Sequence, residues 1–301
     1  MEQNYAMEIK DLKKSFKGFE LNIPELKIPQ GFATALIGEN GAGKTTLLNI
    51  LMGIRLDYTG NIKYFDQYTD KDRESNPQVK EKKGYTGTSK YYFPQWTIKD
   101  IEKISGLLFD NFSKDKFEKL CDELKIGSNK KAVFDKKNSE MSDGNKVKLM
   151  LAGVLARDTD MLVMDEPAWP LDPLMRDKLC QMIGDYIDKG DGKRSVLFST
   201  HNISDMENIT DYAIIMENGS VVEAGFVEDL KEKYILIKGD EKDTAMAKKV
   251  LFSIRTNPYG FEGICLASDL DKLAGMDVSK EIPTLFQISV AVMEKHTNIE
   301  I

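Results

Sequence analysis

The 301 residues are 41% hydrophobic and 30% charged, which fits a soluble globular protein. No apolar run approaches the ~18–20 residues that a bilayer crossing needs, and MEQNYAMEIK lacks a signal-peptide core, so the chain is expected in the cytosol. A net charge of −7 argues against a nucleic-acid binder, and Cys121, Cys180 and Cys265 lie too far apart in the chain for a disulfide framework or a zinc site.

In chain order, MEIKDLKKSF (7–16) and FELNIPELKI (19–28) alternate apolar and polar residues, so they read as antiparallel strands. ATALI (33–37) is a short apolar strand that runs into GENGAGKTT (38–46), and TTLLNILMGI (45–54) has helical spacing. Residues 66–84 are polar and read as a surface excursion around Asn76-Pro77. Residues 97–157 read mostly as helix, and a helical insert over about 86–157 interrupts the strand–helix alternation. MLVMD (161–165), SVLFST (195–200) and YAIIM (212–216) are apolar strands; DPLMRDKLCQMIGDYID and ISDMENIT are helical between them. Alternating β and α units predict an α/β fold with a mainly parallel sheet covered on both faces. Past residue 230 the pattern changes: YILIKG, VLFSIRT and GICLAS are candidate strands, and PTLFQISVAVMEK is a closing helix. The expected division is 1–230 as one domain and 231–301 as a small α+β appendix.

The chemistry concentrates in a few segments. GENGAGKTT satisfies the G-x-x-x-x-G-K-[ST] pattern of a phosphate-binding loop. Gly38, Gly41 and Gly43 let the backbone curl so that the N–H groups of residues 38–46, with those of Glu39, Asn40, Ala42 and Thr46 among them, converge on one point at a helix start. Lys44 reaches the β- and γ-phosphates of ATP, and the Thr45 hydroxyl is a ligand for Mg²⁺. MLVMDE (161–166) delivers Asp165 and Glu166 to the carboxyl end of a buried strand, the edge at which open α/β sheets bind ligands. Asp165 is placed to hold Mg²⁺, and Glu166 to orient or deprotonate an attacking water. MSDGNKVKL (141–149) puts Ser142 as an N-cap and Gly144 for close backbone approach at a helix start that can receive a phosphate. His201 ends a strand of the same sheet and can point at the γ-phosphate.

With these residues in place the chain resembles the ABC ATPases over about residues 5–230. Walker A matches GENGAGKTT, Walker B matches MLVMDE, the signature loop matches Ser142 and Gly144, the D-loop matches Leu171-Asp172-Pro173, and the H-loop matches His201. The resemblance implies a P-loop core with a small antiparallel β subdomain and a helical subdomain. It also implies a head-to-tail dimer, with the same chain or a second ATPase, and two ATP molecules between the subunits. Each ATP would sit between Walker A of one subunit and Ser142/Gly144 of the other. Phe16 matches the aromatic residue that stacks on adenine, with core packing as its alternative role. The helical insert would contact an integral-membrane permease, which places the chain at the cytoplasmic face of a membrane. The signature form S-x-G-N-K-x-K-L, the segment GYTGTSKYYFPQWTIKD (84–100) and PTLFQISVAVMEK are similar to exporter-type ATPases of Gram-positive bacteria, including bacitracin-resistance, lantibiotic-immunity and phenol-soluble-modulin exporters.

Several positions depart from the family pattern. Asp143 stands where the second signature glycine is usual, which brings a carboxylate near the partner's phosphates unless it points outward. Thr88 takes the glutamine position of the Q-loop, Gln95 coming seven positions late, and Trp169-Pro170 replace small residues before the D-loop. Two rival functions follow: a regulatory subunit that binds ATP with little turnover, and a soluble ATPase acting on nucleic acid or the ribosome.

Overall fold

The computed structural model describes residues 3–87, 91–126 and 134–296. Strands β1 (Tyr5–Phe16) and β2 (Phe19–Pro29) form a hairpin closed at Gly18, whose φ of +83° suits the tight turn. β4 (Thr59–Tyr64) and β5 (Tyr68–Thr69) extend it to a four-stranded antiparallel sheet in the order β2-β1-β4-β5. Its inward residues, among them Met7, Ile9, Leu12, Leu21 and Ile23, are fully buried. The polar excursion at 66–84 is ordered: it carries short helices α2 (Asp70–Ser75) and α3 (Pro77–Glu81), with Pro77 in the first turn of α3 and Asn76 as its cap.

The central sheet has six strands in the order β10-β9-β3-β8-β7-β6, where β3 is Ala33–Ile37, β6 Lys83–Thr86, β7 Met161–Met164, β8 Ser195–Thr200, β9 Tyr212–Glu217 and β10 Ser220–Phe226. β9, β3, β8, β7 and β6 pair in parallel, and only β10 joins antiparallel, at the edge. Successive residues of these strands enter different cores. Leu162, Met164, Val196, Phe198, Ala213 and Ile215 face one cluster; Met161, Val163, Leu197, Ile214 and Met216 face the other. A strand buried on both faces needs apolar residues at every position, which is why MLVM, VLF and AIIM read as continuous runs.

Helix α1 (Lys44–Met52) follows β3 directly. The insert carries α4 (Ile98–Leu108), α5 (Lys114–Glu123) and α6 (Asp143–Leu155), the first held by a Thr97/Asp100 capping box. α7 (Pro173–Asp188) joins β7 to β8. ISDMENIT departs from the expected helix: it forms two 3₁₀ turns, Ile203–Asp205 and Glu207–Ile209. After α8 (Val227–Lys233), strands β11 (Tyr234–Gly239), β12 (Phe252–Asn257), β13 (Gly260–Leu266) and β14 (Val278–Glu281) form a third, antiparallel sheet in the order β12-β13-β11-β14, with a short α9 (Thr244–Ala247) between them.

The closing helix α10 (Leu285–His296) returns to the nucleotide-binding part of the chain. Leu285, Ile288, Ala291 and Val292 are buried in the same cluster as Ala213 and Ile215 of β9 and as Ile203 and Met206. Its first N–H groups are capped from another segment: Leu285 N donates to Glu207 Oε1 at 2.8 Å and Phe286 N to Glu207 Oε2 at 3.4 Å. Cys121, Cys180 and Cys265 are buried free thiols, and among the described residues no helix is long and apolar enough to cross a membrane.

Candidate functional site

Parallel pairing puts the carboxyl ends of β3, β8 and β7 on one edge. The register Ile37↔Thr200 sets Gly38 level with His201, and Met164↔Phe198 sets Asp165 level with Ser199. Residues far apart in sequence therefore meet at one end of the sheet. Gly43, at φ +102°, lets the loop turn into α1, and a Cβ there would come within 2.9 Å of Phe19 Cζ.

A cavity of about 330 Å³ opens above the loop, lined by Phe16, Phe19, Glu39, Asn40, Gly41, Gly43, Lys44, Thr45, Thr46 and Glu166. Phe16 is 39% exposed, so it is a wall of this cavity rather than part of the core. It tilts against Phe19 with ring centroids 6.1 Å apart, and Lys14 Nζ and Arg55 Cζ lie 5.0 and 5.2 Å from its centroid.

Lys44 is buried, and its Nζ donates to the Gly38 carbonyl at 2.6 Å and to the Glu39 carbonyl at 3.2 Å. Its Nζ also lies 3.6 Å from Glu166 Oε1. Burial holds the ammonium below its usual range, and the charges of Glu166, Asp165 and Glu39 oppose that shift. The Thr45 hydroxyl donates to Asp165 Oδ2 at 2.9 Å, and the Ser199 hydroxyl donates to Asp165 Oδ1 at 2.6 Å. Ser199 Oγ also accepts from Glu166 N at 2.9 Å. One hydroxyl thus orients both carboxylate residues, and Glu166 takes a left-handed φ of +50° that turns its side chain toward the cavity mouth. There Oε2 lies 2.8 Å from His201 Nδ1. The Asp165 N–H donates to the Thr86 carbonyl of β6, and the neighbouring Tyr85 hydroxyl donates to Asn49 of α1; burial and the Asp165 charge push that phenol up.

Among the described residues no three His, Cys, Asp or Glu side chains cluster to hold a metal. The Thr45 hydroxyl and the Asp165 carboxylate are hard oxygen donors 2.9 Å apart, a pair that fits Mg²⁺ when phosphate oxygens and waters complete the shell.

Ser142 caps α6, accepting from Asn145 N at 3.4 Å, and Asp143 points outward to pair with Lys146 at 2.9 Å. In the single chain the Asp143 carboxylate is exposed and paired. A Cβ on Gly144 would lie 3.1 Å from the Pro170 carbonyl, so the signature loop and the D-loop touch within one subunit. Leu171 is buried, and Asp172 caps α7 through Met175 N at 3.1 Å. Trp169 is 67% exposed. Thr88 lies outside the described residues. Ser199 and Tyr85 are the site residues that sequence reading missed: a serine in a buried apolar strand carries no spacing signal, although its neighbours Thr200 and His201 mark the strand end.

Residues 21–169 match the family model described as ABC transporter. This segment is similar to the ATPase domain of that family. The energy-coupling factor transporter ATP-binding protein EcfA2 of Lactococcus lactis is 29% identical over 247 residues, covering 79% of this chain and 83% of that protein. Two solved structures share the fold of the ABC ATPase domain. A dimeric bacterial ABC transporter cassette aligns with a TM-score of 0.63 at 20% identity, over 73% of this chain and 98% of that one. The cbiO1 subunit of the ABC transporter complex cbiONQ from Clostridium perfringens aligns with a TM-score of 0.60 at 22% identity, over 76% of this chain and 91% of that one. The chain has the fold of an ABC ATPase, and residues 21–169 are similar in sequence to that family.

Proposed function

We propose that two such domains close head to tail over two ATP molecules and that the cycle of closing and opening drives a separate membrane permease from its cytoplasmic face. The observation that carries this is the meeting of Lys44, Thr45, Asp165, Glu166 and His201 at one sheet edge, with Lys44, Thr45 and Glu166 lining the open cavity.

In this reading the N–H groups of residues 38–46 cradle the phosphates and the adenine lies on Phe16. Lys44 exchanges its carbonyl and Glu166 contacts for phosphate oxygens. Thr45 and Asp165 would hold Mg²⁺, which neutralises phosphate charge. Glu166 accepts the proton of the attacking water, and His201, already hydrogen-bonded to Glu166, turns to the γ-phosphate. Ser142 and Gly144 face the partner's nucleotide across the interface. Thr88 is the proposed stand-in for the missing glutamine. Isothermal titration of ATP with and without Mg²⁺ tests the metal pair: Asp165→Asn should weaken Mg²⁺-dependent binding more than metal-free binding. An equal change from wild type in both titrations would remove Asp165 from the metal site.

The cargo reading divides. The signature form and the Pro283–Lys295 ending favour an exporter of a drug or of an antimicrobial or amphipathic peptide. The energy-coupling factor relatives favour import. Reconstitution with the permease in vesicles, with ATP outside, separates the two by the direction in which labelled substrate moves.

A further inference from the structure

One guanidinium joins two loops at this site. Arg176 lies in the first turn of α7, four residues after the cap Asp172. Its Nε donates to the Leu171 carbonyl at 2.9 Å, and its Nη1 donates to Asp205 Oδ1 at 2.7 Å. The second Asp205 oxygen accepts from Asn202 Nδ2 at 3.2 Å. Asn202 is the neighbour of His201, whose Nδ1 lies 2.8 Å from Glu166 Oε2. The Glu166 carbonyl accepts from Trp169 N at 3.3 Å, in the loop that Leu171 ends. The contacts close a ring through Glu166, Trp169, Leu171, Arg176, Asp205, Asn202 and His201.

The ring bears on His201 because packing does not hold that side chain. It is 38% exposed, β8 has ended at Thr200, and the next turn starts at Ile203. Ile203 and Met206 anchor the segment in the core, while His201 and Asn202 ahead of them make polar contacts to Glu166, Thr200 and Asp205. We propose that Arg176 is a positioning residue for hydrolysis. By reading the Leu171 carbonyl and the Asp205 carboxylate with two nitrogens of one rigid plane, it keeps His201 in register with Glu166. It also carries any displacement of the 169–171 loop to His201.

The inference rests on the proposed roles of Glu166 and His201, and the test separates the two. Single-turnover ATP hydrolysis and ATP affinity are measured for wild type, Arg176→Ala, Arg176→Lys, Asp205→Asn, His201→Ala and the Arg176→Ala/His201→Ala double variant. Arg176→Ala and Asp205→Asn should lower the hydrolysis rate about tenfold to a hundredfold with ATP affinity unchanged, the penalty of a misplaced catalytic group. Arg176→Lys should recover part of the rate, because an ammonium keeps the Asp205 pair but not the planar fork. In the His201→Ala background, removing Arg176 should cost nothing more. An equal loss in that background, or wild-type rates in both Arg176→Ala and Asp205→Asn, would overturn the inference. If Arg176→Ala does not fold, the near-isosteric Asp205→Asn carries the same comparison. A wild type that binds ATP without hydrolysing it would overturn the hydrolysis reading and this inference together.

Discussion

Lys44 and Glu217 show how single side chains at this edge serve two states. Lys44 bridges the Gly38 and Glu39 carbonyls, so it braces the loop before any phosphate arrives. Lys44→Ala should lower ATP affinity by at least about tenfold, since hydrogen bonds to a charged group contribute ~1.5–3 kcal/mol each, and isothermal titration reads the loss. Unchanged affinity would remove Lys44 from the phosphate site. Glu217 ends β9, is 7% exposed, and its Oε2 is buried without a hydrogen-bond partner among the described residues. Burial raises its carboxyl above the ordinary glutamate range, and the Glu39 charge adds to the shift. A raised folded value means that the folded state prefers the protonated acid. The stabilisation is complete below the unfolded pKa and is lost as pH rises through the folded one. Glu217→Gln should therefore be more stable than wild type near pH 7, by about 1 kcal/mol, with the difference gone in acid below the ordinary glutamate value. Thermal melts across that range check the sign, and a constant difference at every pH would rule out the titration.

At the scale of elements, α10 joins the closing segment of the chain to the one that follows His201. Glu207 accepts from two N–H groups at the α10 start, while Ile288, Ala291 and Val292 bury the helix against the central sheet. A carboxylate at a helix N-terminus contributes about 0.5–2 kcal/mol through capping and the helix dipole. Glu207→Ala should leave the ATPase core folded and speed amide exchange at Leu285 and Phe286. Exchange that stays slow there would mean that packing alone holds the helix. The two 3₁₀ turns at ISDMENIT link two elements: Asp205 pairs with Arg176, and Glu207 caps α10.

For the molecule as a whole, the proposed function makes this half a site: its cavity is open, and in that reading a second subunit brings its Ser142 and Gly144 to each nucleotide. Trp169 and Leu174, 67% and 77% exposed beside the D-loop, are apolar surface that pairing can cover. Glu166→Gln should keep ATP binding, lose turnover by on the order of 10²–10⁴, and accumulate as an ATP-bound dimer on size-exclusion chromatography. A monomer at saturating ATP would count against self-pairing and favour a heterodimer.

The phosphate loop and the carboxylate pair were legible in the sequence because their chemistry is local. A cradle of consecutive N–H groups needs glycines at fixed spacing, and a buried parallel strand ending in Asp-Glu announces itself by its apolar run. The strand–helix alternation was legible for the same reason, since burial on both faces leaves a continuous pattern. Polar edge strands were not: β14 reads VSKE and owes its conformation to the ladder that β11 offers, Leu236↔Glu281 to Gly239↔Val278. Nor were Ser199, Tyr85 and the Arg176–Asp205 pair. Each joins segments that are distant in the chain, and a serine or an arginine looks the same in sequence whether its partner is water or a catalytic loop. Strand register decides which partner it meets, and register exists only once the sheet has formed.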